Sequence, residues 1–211
     1  MIHELRAYTV RQPTLPRMIQ DSATISREIR GDTYGKLEGY WGTEIGPLNQ
    51  AVQLWSYTDL NERARLRAEL YKNPRWLNEY VPLHKDILVR QDVRLLNPVI
   101  GPVAPAEQPN VYELRTYRTK VGAVPRWVEM LTSVLPLREK YSRICGLWIT
   151  EAGQLNEVCH IWPYKDLNHR AQVRAAANAD PEWQAFIAES APLLEEMHST
   201  IMLPAPHSPL K

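Results

Sequence analysis

Polar and apolar positions alternate through residues 2–9, a period of two in a stretch rich in strand formers, and predict a strand. The same parity puts Glu4, Arg6 and Tyr8 on one face of it. Pro16 suits the first turn of a helix, Met18, Ile19, Ile25 and Ile29 supply its apolar stripe, and Gly31 suits its end. Residues 39–45 and 49–57 read as two strands joined by a turn that contains Gly46-Pro47. Asp59 fits a helix N-cap with Glu62 three residues on, and that helix is expected to break near Pro74 and resume to about Leu83. A last strand is expected over about 87–96. The order strand–helix–strand–strand–helix–strand is the ferredoxin-like arrangement.

The pattern then repeats. His3-Glu4-Leu5-Arg6-Ala7-Tyr8 returns as Tyr112-Glu113-Leu114-Arg115-Thr116-Tyr117, and Pro16-Arg17 as Pro125-Arg126, both at a spacing of 109. From Gly39 the spacing is 107, so the second copy has lost two residues in its first helix or the loop after it. Between Gly39 and Arg67, 15 of 29 positions match their partners, against about 6% by chance for average composition, so the repeat is real. Gly39/Gly146, Trp41/Trp148, Thr43/Thr150, Glu44/Glu151 and Gly46/Gly153 read as residues around a turn. In the second copy strands are expected at about 111–118, 146–151, 156–164 and 199–204, with helices at about 124–143 and 166–196, the latter broken near Pro181. The chain thus reads as a first repeat over residues 1–100, a Pro-rich linker over 101–110 and a second repeat over 111–211. The fold class is α+β: two ferredoxin-like βαββαβ units, each covering one sheet face with its helices and pairing the other, sheet on sheet, into an α+β barrel.

Composition removes several classes of function. Lys+Arg number 25 and Asp+Glu 24, a net charge of +1 that gives no reason to expect a nucleic-acid partner. No run of about 18 apolar residues is present to span a membrane. The N-terminus has neither the cationic-then-apolar pattern of a signal peptide nor an Arg/Ser-rich amphipathic helix, which points to the cytoplasm. Cys145 and Cys159 have no metal-ligand spacing and read as reduced, buried thiols. His3, His84, His169, His198 and His207 form no paired metal motif, and no G-x-G-x-x-G, P-loop or G-x-S-x-G occurs, so neither a metal nor an organic cofactor is expected.

Chemistry could sit on the polar and aromatic faces of the central strands. One face carries Glu4, Arg6 and Tyr8 beside Asn49, Gln53, Trp55 and Tyr57. Its copy carries Glu113, Arg115 and Tyr117 beside Asn156, His160, Trp162 and Tyr164. Val52, Leu54, Cys159 and Ile161 lie on the opposite face and are expected to meet the helices, leaving the polar set to line the barrel interior. A Glu–Arg–Tyr network can equally exist only to satisfy itself and fix strand pairing, and Trp55 and Trp162 read first as packing residues. Arg63 and Arg67, with their copies Arg170 and Arg174, read as a solvated helix face or as donors to nearby helix carbonyls, with a partner surface as the remaining reading.

The segments Thr43-Glu44-Ile45-Gly46-Pro47-Leu48-Asn49-Gln50, Leu54-Trp55 and Asp59–Arg65, the strand Val111–Arg118 and the ending Ile201-Met202-Leu203-Pro204 resemble the NIPSNAP family, over nearly the whole chain and twice. The resemblance implies the dimeric α+β barrel fold without implying a defined activity; a bacterial cytoplasmic member is expected. Such proteins often carry a His two residues before the strand Trp. The second copy keeps it as His160-Ile161-Trp162, and the first has Gln53-Leu54-Trp55. Two functions stay open. One is a cofactor-independent enzyme acting on a small aromatic or carbonyl compound by oxygenation, isomerisation or cyclisation. In it His160 or Glu113 would move a proton, Arg115 would bind an anion, and Glu113 or Asn156 would orient the imidazole. Glu4, Arg6, Tyr8, Asn49, Gln53, Trp55, Tyr117, Asn156 and Trp162 would complete the ligand surface. The other is a non-catalytic ligand-binding or scaffold protein. A repeat that pairs within a chain can also pair between chains, so a homo-oligomer is compatible with either.

Overall fold

Each repeat folds as β–α–β–β–α–β in a computed structural model that describes residues 1–108 and 110–211; Pro109, in the predicted linker, lies outside the described residues. The first repeat holds β1 (Ile2–Val10), α1 (Leu15–Asp21), α2 (Arg27–Arg30), β2 (Lys36–Ile45), β3 (Gln50–Tyr57), α3 (Leu60–Leu70), α4 (Val81–His84) and β4 (Leu88–Ile100). The second holds β5 (Val111–Thr119), α5 (Val124–Arg138), β6 (Gly146–Ala152), β7 (Glu157–Tyr164), α6 (Leu167–Ala179), α7 (Pro181–Ser190) and β8 (Leu194–Pro204). The eight strands form one closed antiparallel barrel in the order β1-β3-β2-β8-β5-β7-β6-β4. The repeats meet at two seams, β2 on β8 and β4 on β6.

Local signals set most boundaries. The Asp59 side chain accepts the Glu62 N–H at 2.8 Å, and Asp166 does the same for His169 at 2.7 Å, so both capped helices start where expected. Asn49 and Asn156 adopt positive φ of 55° and 57° at the hairpin turns, a conformation Asn tolerates better than most residues. The last helix stops short of the expected end near residue 196, because β8 begins at Leu194. Pairing overrides local propensity there, because residues 194–199 complete the ladder with β5.

The repeat spacing acquires a structural cause. Arg30 and Arg138 are equivalent: each donates to the carbonyl four residues on, Tyr34 or Ser142, and each lies over the paired indole, Trp55 or Trp162. They stand 108 apart. One of the two extra residues in the first copy is therefore absorbed before Arg30, where a π-helical turn, Ser22–Ser26, interrupts a helix that runs uninterrupted as α5. The other lies in the loop that follows. A second π-helical turn, Trp76–Tyr80, takes up one more residue, since Leu88 and Leu194, which pair equivalently with Val10 and Thr119, stand 106 apart.

The two faces of the barrel are the reverse of those expected. Leu5, Trp41, Val52, Leu54, Leu96, Tyr112, Leu114, Trp148, Cys159, Ile161 and Met202 form one buried cluster fed by all eight strands, which is the barrel interior. An eight-stranded barrel leaves just enough room for side chains to fill it. The polar and aromatic set, Glu4, Arg6, Gln53 and Trp55 with Glu113, Arg115, His160 and Trp162, faces outward beneath the helices. The physical reason is charge: the arginines of α3 and α6 reach down to the buried glutamates.

Candidate functional site

Two buried carboxylates anchor the helices to the sheet. Glu4 is fully buried and accepts from Arg6 and Arg63, with Arg67 at 3.6 Å. Glu113 is fully buried and accepts from Arg170 at 2.7 and 3.0 Å and from the Ser199 hydroxyl at 2.6 Å, with Arg115 at 3.5 Å. Burial alone would raise the Glu113 pKa. The Arg170 hydrogen bonds, Arg115 and Ser199 outweigh it and hold the group at about 2. Glu4 is displaced downward too, burial being outweighed by Arg6, Arg63 and Arg67.

Beyond Glu113 the second repeat opens into a cavity of about 240 Å³ between sheet and helices. Its walls are aromatic, from Tyr117, Trp127, Trp162, Tyr164, Trp183 and Phe186, and its polar groups include Arg115, Arg138, Arg174 and His160. The His160 ring stands edge-on to Tyr117, with centroids 4.8 Å apart. Its Nδ1 accepts the Trp162 indole N–H at 2.6 Å. An indole nitrogen can only donate, so the neutral ring carries its proton on Nε2. That Nε2 is buried without a protein partner, and so is Nε of Arg115. Burial and then Arg115, aided by Arg138 and Arg174 and opposed by Glu113, push the imidazole down to about 3. At neutral pH His160 is thus an uncharged ring on the cavity wall, with an Nε2–H that has no protein partner.

The first repeat carries a matching cavity of about 180 Å³. Gln53 takes the place of His160 and accepts from Trp55 at 3.0 Å. Ser22, Tyr40 and Tyr80 contribute a hydroxyl cluster with both Ser22–Tyr distances at 3.0 Å. Arg6 and Arg30 both line this cavity.

The NIPSNAP family profile matches residues 3–100 and again 112–209. The chain belongs to the NIPSNAP family. It is similar to NipSnap homolog 1 of Danio rerio, 30% identical over 217 residues that cover 100% of this chain and 77% of that protein. It is also similar to NipSnap of Drosophila melanogaster, 27% identical over 99% of this chain and 78% of that one. The crystal structure of an anthrone oxidase-like protein superimposes with a TM-score of 0.66 over 96% of this chain and 90% of that chain, at 9% identity, a likeness of fold alone.

Within this NIPSNAP chain the residues singled out from sequence fall into three groups. Arg115, Tyr117, His160 and Trp162 line one cavity, and Arg6, Tyr8, Gln53 and Trp55 line the other. Glu4 and Glu113 stand behind the cavities, occupied by arginines. Asn49 and Asn156 line neither; they hold the hairpin turns, and the His160 ring is oriented by Trp162 rather than by Glu113 or Asn156. Arg63, Arg67, Arg170 and Arg174 are not a solvated face, since all four turn toward a buried carboxylate. Arg30 and Arg138 went unnoticed because the π-helical turn shifts their spacing by one. Among the described residues no group of three or more His, Cys, Asp or Glu is placed to hold a metal ion, and no helix is long and apolar enough to cross a membrane.

Proposed function

We propose that the second-repeat cavity binds a small, flat organic molecule as its anion, a phenolate or enolate, with the charged oxygen between Nε2–H of His160 and Arg115. The observation that carries this reading is the pair of buried donors without protein partners, His160 Nε2 and Arg115 Nε, in an aromatic-walled cavity. Buried donors left unpaired are costly, and a ligand oxygen is the natural partner. A neutral imidazole donor beside a guanidinium stabilises developing negative charge on oxygen without itself exchanging a proton. The cavity is smaller than drug-sized sites, so the ligand is of one-ring size. Cofactor-independent oxygenation, isomerisation or cyclisation would each begin from such an anion.

A second reading, a non-catalytic carrier, is favoured by two observations. No carboxylate lines the cavity among the described residues, and His160 is too weakly basic to take a proton. In either case the anion cradle is the shared chemistry. 4-Nitrophenol tests it, because its ionised form absorbs at longer wavelength. The wild-type chain should lower the apparent pKa of bound 4-nitrophenol, and His160→Gln should return it toward the free value by about one unit, the scale of one charge-assisted contact. Binding of the neutral phenol with an unchanged spectrum would overturn the proposal.

A further inference from the structure

We infer that the first-repeat cavity is a second ligand site of different chemistry, one that takes a small hydroxycarboxylate. The inference stands independently of the role proposed for His160. Its starting point is a surplus of buried positive charge. Arg30 is 3% exposed, and its guanidinium lies 3.4 Å over the Trp55 ring. It donates to the Tyr34 carbonyl at 2.9 Å and the Tyr57 hydroxyl at 3.1 Å, yet its Nε has no partner and no carboxylate pairs with it among the described residues. Arg6, also buried, shares the single carboxylate of Glu4 with Arg63 and Arg67, and its Nη2 has no partner. Two guanidinium groups thus line one cavity, each with an N–H that has no protein partner, the chemistry that recognises a carboxylate.

The rest of the cavity has been rebuilt for a polar guest relative to its copy. Ser22 stands where the second repeat has Leu131, Tyr40 where it has Leu147, Tyr80 where it has Ile187, and Gln91 where it has Met197. The two π-helical turns are the means. Ser22–Ser26 aligns Met18, Ser22, Ser26 and Arg30 at four-residue intervals toward the cavity, and Trp76–Tyr80 presents Tyr80 to Ser22. Turns of this kind recur at functional positions. The hydroxyl cluster of Ser22, Tyr40 and Tyr80 suits an alcohol group of the guest, as Arg6 and Arg30 suit its carboxylate. Burial, with Arg6 next, lowers the Arg30 pKa only to about 10, so the fork stays charged at neutral pH.

Titration calorimetry on the full chain with L-malate, and separately with inorganic phosphate, tests the assignment. One equivalent of malate should bind, and both Arg30→Met and Ser22→Leu should weaken it by about tenfold or more. Ser22→Leu copies the residue accepted in the other repeat, so it keeps the test usable if Arg30→Met does not fold. The 4-nitrophenol signal of the second cavity should be unchanged in both variants. No heat with malate at millimolar concentration would overturn the inference, as would malate binding indifferent to both substitutions. Phosphate bound in preference to malate would overturn the assigned ligand class.

Discussion

At the scale of single residues the decisive feature is the proton on His160. The indole of Trp162 fixes it on Nε2, and burial beside Arg115 keeps the ring neutral down to about pH 3. In the unfolded chain an imidazole protonates near its ordinary value of about 6.5. Between those values the unfolded state binds more protons than the native state, so stability contributed by this site is fully present above about 6.5 and falls with pH toward 3. The limiting slope is about 1.4 kcal/mol per pH unit for one proton. His160→Gln, which copies Gln53, should remove this component. His3, His84 and His207 are displaced downward by burial as well, so the informative quantity is the difference between wild type and variant. Urea unfolding across pH 4–7 should show the variant gaining relative stability as the solution is acidified. Parallel curves would mean that His160 is not held neutral.

At the scale of elements, the glutamate clusters tie helix to sheet. Glu113 in β5 holds Arg170 in α6 and Ser199 in β8, so one carboxylate fastens three elements. Its depressed pKa means that this stability is complete above about pH 4.5 and is lost as pH falls through about 2. Glu113→Gln should cost roughly 2–4 kcal/mol by leaving arginines without a counter-charge, somewhat less than a fully buried pair because Arg170 is about a quarter exposed. In a double-mutant cycle with Arg170→Met the two losses should not add; strict additivity would place the helix docking elsewhere. The order of elements was legible in the sequence because parity, caps and the internal repeat all agree. The orientation of the sheet was not. Alternation separates the faces of a strand without saying which face meets the helices, and the deciding partners, Arg63 and Arg170, lie far along the chain. Gly39 and Gly146, which the repeat groups with residues around a turn, lie in β2 and β6. There the indoles of Trp41 and Trp148 occupy the space a Cβ would need. That contact joins neighbours two apart on one strand face, and a turn-based reading of glycine misses it. Parity found Arg6, Tyr8, Gln53 and Trp55 with Arg115, Tyr117, His160 and Trp162, but not Tyr40, Gln91 or Met197, which also line the cavities from strands; Arg30, Arg138, Trp127 and Trp183 come from helices whose register the sequence left undetermined.

At the scale of the whole molecule, the barrel interior belongs to neither repeat alone. Trp41, Leu54 and Leu96 of the first pack against Tyr112, Trp148 and Met202 of the second in one apolar cluster. Each separated repeat would uncover that face together with two strand edges, β2 and β4 or β6 and β8. Further links cross the boundary: the Ala205 N–H donates to the Tyr40 carbonyl at 2.9 Å, the Tyr40 N–H donates to the Ser208 hydroxyl at 2.9 Å, and the Val103 N–H donates to the Cys145 carbonyl at 2.7 Å. Residues 1–104 and 105–211, expressed separately, should therefore not persist as folded monomers. Each should self-associate or aggregate, and co-expression should recover a one-to-one complex that restores the seams. Pairing of unlike halves should win over pairing of like halves, because residues 205–210 supply the Ala205 and Ser208 contacts only across the β2–β8 seam. Sedimentation and thermal melts of the halves alone and together decide it. Two cooperatively folding monomers would show that each sheet is stable with its inner face in water, and would remove the physical reason for a closed barrel.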